Sequence, residues 1–392
     1  MVKTINETFS YNRFPKFWNI ILFSLISLAF ILSDWTVFYS SFGDFILALT
    51  GLVLLVIGQI KISKKQIGYI SVLLTMLALN YILNINFNDY WFDTTRAILS
   101  YTKIILYSVT LVAFYNFLRR NKLIQSFLKT SNYFALVTIV IGLILTIMIY
   151  FDMSNFYNTI WRFTRIDESS YYFEGNANIV RTRSLFSEPA HLGYYLNTIF
   201  FANVFSNKKM NIWVLSSLAL GLLLTLSYSM ILIFMATGIT YIATQLIKGN
   251  LNWSRWYWLP ILPVILFVVY FWDFINETII QRTVNIISGT DGSAYNRVVE
   301  SWIYVVPERI LYGNGIAHSP PMTNIYAYLL TDFGLVGFIP YIGTTVYILL
   351  KSLSLFVLFF LMNSAKGGYL NPSFWMFLFF FIGFCLYSKG NK

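Results

Sequence analysis

The residues best suited to chemistry gather at two places in this sequence. The first is Arg181-Thr-Arg183-Ser-Leu-Phe-Ser187-Glu188-Pro189-Ala-His191, which runs straight into an apolar segment. Ser187 reads as the N-cap of a helix with Pro189 in its first turn, so a positive helix end lies beside two guanidinium groups. That combination makes an anion site. In an extended segment Arg181 and Arg183 point the same way, which suits two contacts on one diphosphate. Glu188 and His191 follow one turn apart. The carboxylate is a candidate general base or holder of a sugar hydroxyl, or it only complements the helix dipole and pairs with an arginine. His191 contacts substrate in one reading and is a satisfied interfacial histidine in the other.

The second place is Asp291-Gly-Ser-Ala-Tyr-Asn-Arg297-Val-Val-Glu300-Ser-Trp302, which reads as a turn leading into a helix. Arg297, Glu300, Tyr304 and Glu308 fall close to one face of it, and Pro307 bends or ends it. Arg282 and Arg309 flank this stretch as further cations for an anionic substrate. Gly313 and Gly315 permit a tight turn or a close approach of backbone to ligand. Beyond them, His318 is a candidate base or phosphate ligand, with a plain surface histidine as the alternative, and Asn324 marks the return to the membrane. Lys103 lies inside an apolar segment, where it contacts substrate or a partner such as Asp44, or snorkels to an interface.

The elements that must position these groups follow from composition. The 392 residues are 57% hydrophobic and only 11% charged, with mean hydropathy +0.65. A soluble globular chain carries about a quarter charged residues, so this one is an integral membrane protein. Apolar segments read as spans near 17–33, 42–60, 67–86, 97–118, 133–151, 189–206, 211–226, 229–247, 257–275, 334–350, 353–363 and 374–386. The expectation is an all-α helix bundle in one polytopic domain, 1–392, with twelve spans and eleven as the alternative. One cysteine and two histidines argue against a disulfide framework or a metal cluster, and no nucleotide fingerprint or cofactor motif is present.

Lysine sorts the connections. Lys3, Lys16, Lys61, Lys64, Lys65, Lys122, Lys129, Lys208, Lys209, Lys248, Lys351, Lys389 and Lys392 fall at the tails and in every second connection, which places both termini in the cytoplasm. The net charge of +11 therefore has a topological meaning, and nucleic acid is not among the expected partners. Two long connections face outward, 152–188 and 276–323. They hold seven of the twelve arginines and no lysine. Arginine kept where lysine is excluded points to a task that needs a planar, bidentate cation for phosphate or carboxylate; pairing with nearby acidic residues or lipid headgroups is the alternative.

Three segments, in order, resemble the O-antigen polymerase (Wzy) family, within the wider group that includes the O-antigen ligases. They are Arg183-Ser-Leu-Phe-Ser-Glu188-Pro189-Ala-His-Leu-Gly193; Arg297-Val-Val-Glu-Ser-Trp302 with Pro307 and Gly313-Asn-Gly315; and Asn324-Ile-Tyr326-Ala-Tyr-Leu-Leu-Thr-Asp332-Phe-Gly334-Leu-Val-Gly337. Together they cover roughly a quarter of the chain. The resemblance implies a metal-independent glycosyltransferase of the bacterial inner membrane that joins repeat units carried on undecaprenyl diphosphate, with Arg183 and Arg297 at the diphosphate and Glu188 in the site. It also implies a chain-length regulator and a flippase as partners. The related ligases carry a histidine directly before the asparagine of the third segment, where this chain has Thr323.

The expectation is thus a polymerase of O-antigen or capsule repeat units, with Glu188 or His318 deprotonating the acceptor hydroxyl and arginines neutralising the leaving group. A ligase uses the same donor with another acceptor. A flippase would need charge lining a path through the spans, and the charge here gathers outside them.

Overall fold

The computed structural model describes residues 15–87, 92–173, 176–206, 211–249, 292–366 and 368–386, with isolated residues between 250 and 291. Its helices are α1 (Lys16–Ile31), α2 (Phe42–Val56), α3 (Lys64–Asn84), α4 (Thr94–Arg120), α5 (Ile124–Tyr150), α6 (Ser154–Ile160), α7 (Pro189–Phe205), α8 (Ile212–Leu224), α9 (Tyr228–Ile247), α10 (Ile325–Lys351), α11 (Leu353–Ala365) and α12 (Pro372–Phe380). A π-helical turn, Phe381–Leu386, continues α12. Among the described residues, six segments are long and apolar enough to cross a membrane: Lys16–Asp34, α3, α4, α5, α9 and α10. Shorter apolar helices are α2, α8, α11 and the run Pro372–Leu386. The expected spans at 189–206 and the last three each carry a helix, and the one at 257–275 lies, but for two isolated residues, outside the described residues.

Local sequence explains where these helices start. Ser41 and Asp44 form a reciprocal capping box on α2, and Ser63 and Gln66 form another on α3. Asp93 caps α4 through the Arg96 amide, Asn324 caps α10, and Asn371 caps α12 just before Pro372. Lipid is as apolar as leucine, so close packing rather than water exclusion holds the bundle together. Phe23, Phe114, Phe127, Phe379 and Phe380 interlock edge-to-face and stacked across α1, α4, α5 and α12, with centroids 5.2–6.5 Å apart, each pair adding about 0.5–1.5 kcal/mol.

Two departures from the expected elements matter for the site. Glu188, not Ser187, is the residue at the N-cap of α7, and no side chain caps it; the Ser187 hydroxyl is drawn instead to Asp34. The tenth span, expected to open at Gly334, is the second half of α10, which is broken there at φ 61°, ψ −157°. The chain at 310–315 crosses this break backbone to backbone. Asn314 and Gly315 donate to the Thr331 and Asp332 carbonyls at 2.7 and 3.1 Å, and Leu335 donates back to Ile310 at 2.8 Å. Irregular backbone among apolar helices survives only when its polar groups are satisfied by protein in this way. The contact requires glycine: a Cβ on Gly313 or Gly334 would stand 2.5–2.6 Å from facing backbone atoms. The close approach foreseen at Gly313 is therefore to the chain itself. The helix foreseen after Asp291 runs from Gly292 through π-helical Asn296–Glu300 to Ile303, and only a short 3-10 turn follows at Pro307.

Candidate functional site

The polar groups collect at one end of the bundle, where α1 ends, α2, α4 and α7 begin, and the connection between α11 and α12 passes. The connection after α5 is folded against this end. Its Tyr157, Trp161, Tyr171 and Val180 pack on Leu145 and Ile149, and the Trp35 indole N–H reaches the Leu185 carbonyl at 2.6 Å. The tail of this loop dips into the bundle. Thr182, Arg183 and Ser184 are all buried, with the Thr182 amide donating to Leu224 of α8 and the Ser184 hydroxyl donating to Thr138 of α5 at 2.6 Å.

Arg183 occupies the middle of that tail, 1% exposed. Its guanidinium lies 3.5 Å from the Trp161 ring centre and donates to the Ser187 carbonyl at 2.7 Å and the Arg165 carbonyl at 2.5 Å. Burial lowers its hold on the proton from the ordinary value. Arg181 turns elsewhere, to the Ser169 carbonyl at 3.1 Å, so the structure does not aim the two guanidiniums at a shared point.

What the Arg183 clamp holds is the turn before α7. There His191 Nδ1 lies 2.6 Å from Asp34 Oδ2 and 2.9 Å from Ser187 Oγ, and the Ser187 amide and hydroxyl both donate to Asp34 Oδ2 at 3.2 Å. Lys366, from the α11–α12 connection, brings its ammonium to 3.5 Å from Asp34 Oδ1 and 5.5 Å from the Tyr194 ring centre. Asp34 is 3% exposed and Lys366 12%, whereas His191 keeps 25% of its side chain open. Burial pushes the Lys366 ammonium below its usual value, opposed by the charges of Asp34 and Glu188. Nearer the surface, Glu188 pairs with Arg165 at 2.6 Å, and Arg165 also meets Asp167 at 2.7 Å. The Ser169 hydroxyl and the Arg165 guanidinium hold Asp167 below the ordinary carboxylate value.

A second group surrounds the break in α10. Asp332, fully buried, accepts from the Ser319 hydroxyl at 2.9 Å and the Tyr369 hydroxyl at 2.5 Å. Arg96 donates to the Ser319 carbonyl at 3.3 Å. His318 is 3% exposed and stacks on Phe92 at 4.2 Å. Arg309 lies over Phe87 at 3.8 Å and donates to Asn84. Asn324 spends its side-chain oxygen on the Tyr326 amide and its nitrogen on the Arg297 carbonyl, at 3.0 and 3.1 Å. Tyr304 and Arg297 are half-buried, and the Tyr304 carbonyl accepts from Asn314 at 2.9 Å. Arg282 lies outside the described residues.

Glu188 and His191 are thus brought together, with Arg183 beneath them, while His318, Arg309 and Asn324 sit in the other group. The connection between α11 and α12 serves both, through Lys366 in one and Tyr369 in the other. Lys103 pairs with Asp44 at 2.9 Å, the partner foreseen for it. Asp34, Lys366, Asp332 and Tyr369 were not singled out beforehand. The signal for Lys366 was present in the sequence, because under twelve spans it falls in a connection that the lysine sorting leaves otherwise free of lysine.

The family model of the WcaD colanic acid polymerases matches residues 22–312. The chain belongs to this family. The matched region holds Asp34, Arg165, Arg183, Glu188 and His191 and stops short of His318 and α10. Membership in the WcaD family agrees with the likeness to polysaccharide polymerases carried by the sequence motifs. Neither a curated protein nor a solved structure matches the chain.

Proposed function

We propose that this WcaD-family chain polymerises a surface polysaccharide by moving the growing glycan from its undecaprenyl diphosphate carrier onto the next lipid-linked repeat unit, at the outer face of the bacterial inner membrane. The family match over residues 22–312 carries this reading. Its support in the fold is the gathering of Asp34, Glu188, His191, Arg165 and Lys366 at one end of an apolar bundle, where the headgroup of a membrane-borne substrate lies. The lysine sorting supports cytoplasmic termini, so this end faces outward.

In this reading the acceptor hydroxyl oxygen attacks the anomeric carbon, the bond from that carbon to the diphosphate breaks, and the electron pair leaves with the diphosphate. No nucleotide or metal is required, because guanidinium groups neutralise the leaving group where charge develops. Arg297, Arg309, Arg181 and Arg282 supply them, and Arg183 holds the turn leading into α7, whose N-cap is Glu188 and whose first turn carries His191. The half-buried Tyr304 and neighbouring aromatics offer faces to sugar rings.

The test is a gel of surface glycolipid from a strain lacking the gene, beside the complemented strain. A single repeat unit on the lipid core, with the ladder restored by the gene, is the expected outcome. A ladder retained on undecaprenyl diphosphate identifies a ligase instead, and the absence of any repeat unit at the outer face identifies a flippase.

A further inference from the structure

We propose that His191, oriented by Asp34, is the group that takes the proton from the acceptor hydroxyl, an assignment that rests on the polymerase reading above and replaces both Glu188 and His318 in that role. The argument begins with the ring. A hydrogen bond of 2.6 Å from Nδ1 to a carboxylate oxygen fixes both the orientation of the imidazole and its tautomer, with the proton on Nδ1 and the lone pair on Nε2. Among the described residues no hydrogen bond engages Nε2. With a quarter of its side chain open, this histidine can be reached from the loop side of the site.

Asp34 is built for the orienting role. It is nearly buried, yet the Ser187 amide, the Ser187 hydroxyl and the imidazole all donate to one of its oxygens, and the Lys366 ammonium faces the other. Those contacts keep the carboxylate ionised, and an ionised carboxylate stabilises the imidazolium that forms when Nε2 accepts a proton. The alternatives are less well placed. Glu188 is committed to an ion pair with Arg165 at 2.6 Å. His318 is 3% exposed and stacked on Phe92. The groups that bear on the charge of His191 are Asp34 from the end of α1, Lys366 from the α11–α12 connection, Glu188 at the start of α7, and Arg165 behind Glu188 from the first loop.

The step balances. As the acceptor oxygen bonds to the anomeric carbon, its proton passes to Nε2 and the electron pair of the breaking bond leaves with the diphosphate. The imidazolium then returns the proton to water.

The assay uses the purified full chain and lipid-linked repeat units extracted from a strain lacking the gene. H191Q keeps a side chain that can donate to Asp34 and is expected to lower kcat about 10²–10⁴-fold with KM little changed. The wild-type log kcat should climb with unit slope as the base loses its proton, and H191Q should lose that limb. D34N should lower the pH at which the limb falls, because it removes a negative charge from beside the imidazolium. H191A should regain activity when imidazole is added, which a merely structural histidine would not do. An H191Q chain within about threefold of wild type, or one that keeps the pH limb, overturns the assignment. A wild-type chain that forms no polymer overturns the polymerase reading instead.

Discussion

Removal of Arg183 is the sharpest probe of how the first loop is held. Two part-buried hydrogen bonds from a charged donor to the Ser187 and Arg165 carbonyls are worth about 1.5–3 kcal/mol each, and a desolvated cation over the Trp161 face adds about 2 kcal/mol. Against this stands the cost of keeping a guanidinium out of water, several kcal/mol even after relaxation. The balance puts the Arg183→Ala loss at about 2–4 kcal/mol. Arg183→Lys keeps the charge but cannot lie flat on the indole and reach both carbonyls, so about half of that loss is expected. The assay is thermal melting of the detergent-solubilised chain followed by tryptophan fluorescence, with polymer yield measured on the same samples. Both variants should melt earlier and lose yield together, since the clamped carbonyl of Ser187 adjoins Glu188 and lies one helical turn before His191. Variants that melt with the wild type while polymerisation disappears would refute the clamp and return Arg183 to the diphosphate.

Gly334→Ala places a Cβ 2.5–2.6 Å from the backbone of Ile310, Leu311 and Gly313, in a conformation only glycine tolerates. A loss above about 3 kcal/mol is expected, seen as failure to purify a monodisperse species, and a well-behaved variant would contradict the backbone crossing. Asp44→Asn strips the carboxylate from Lys103, whose side chain is 14% exposed. A melting loss of about 3 kcal/mol is expected, and pairing the change with Lys103→Met should recover part of it, because removing both charges costs less than removing one. Arg297→Lys retains charge without the planar fork, and a tenfold or greater fall in polymer ladder is expected; an unchanged ladder would show that a point charge suffices.

The helices were legible because apolar runs and their caps are local signals. Asp93, Asn324 and Asn371 mark helix starts by chemistry that acts within three residues. The Lys103–Asp44 pair was legible too, because two opposite charges inside apolar segments have few other ways to be satisfied. Ser187 was misread for the complementary reason. Its cap-like position is local, but the carboxylate that claims its hydroxyl lies 153 residues away. The burial of Arg183 was not legible because nothing in the sequence reveals that Trp161 folds beneath it. Lys366 is hard to read from sequence because a lysine between apolar segments suggests sidedness first, and its burial beside Asp34 appears only when α1 and the α11–α12 connection are placed together.

That last juxtaposition also sets an order of assembly during synthesis of the chain. Asp34 leaves the ribosome long before Lys366, and the arginines of this sequence all precede Lys366. A nascent chain can therefore insert its first helices, dock the arginine-bearing loops and close the backbone crossing at Gly334 while the Asp34 carboxylate still lacks its ammonium partner and Asp332 lacks the Tyr369 hydroxyl. Both are supplied at once, by a single short connection, when the final hairpin docks. Translation stalled ahead of that hairpin leaves a chain in which Asp34 and Asp332 each lack one of their partners.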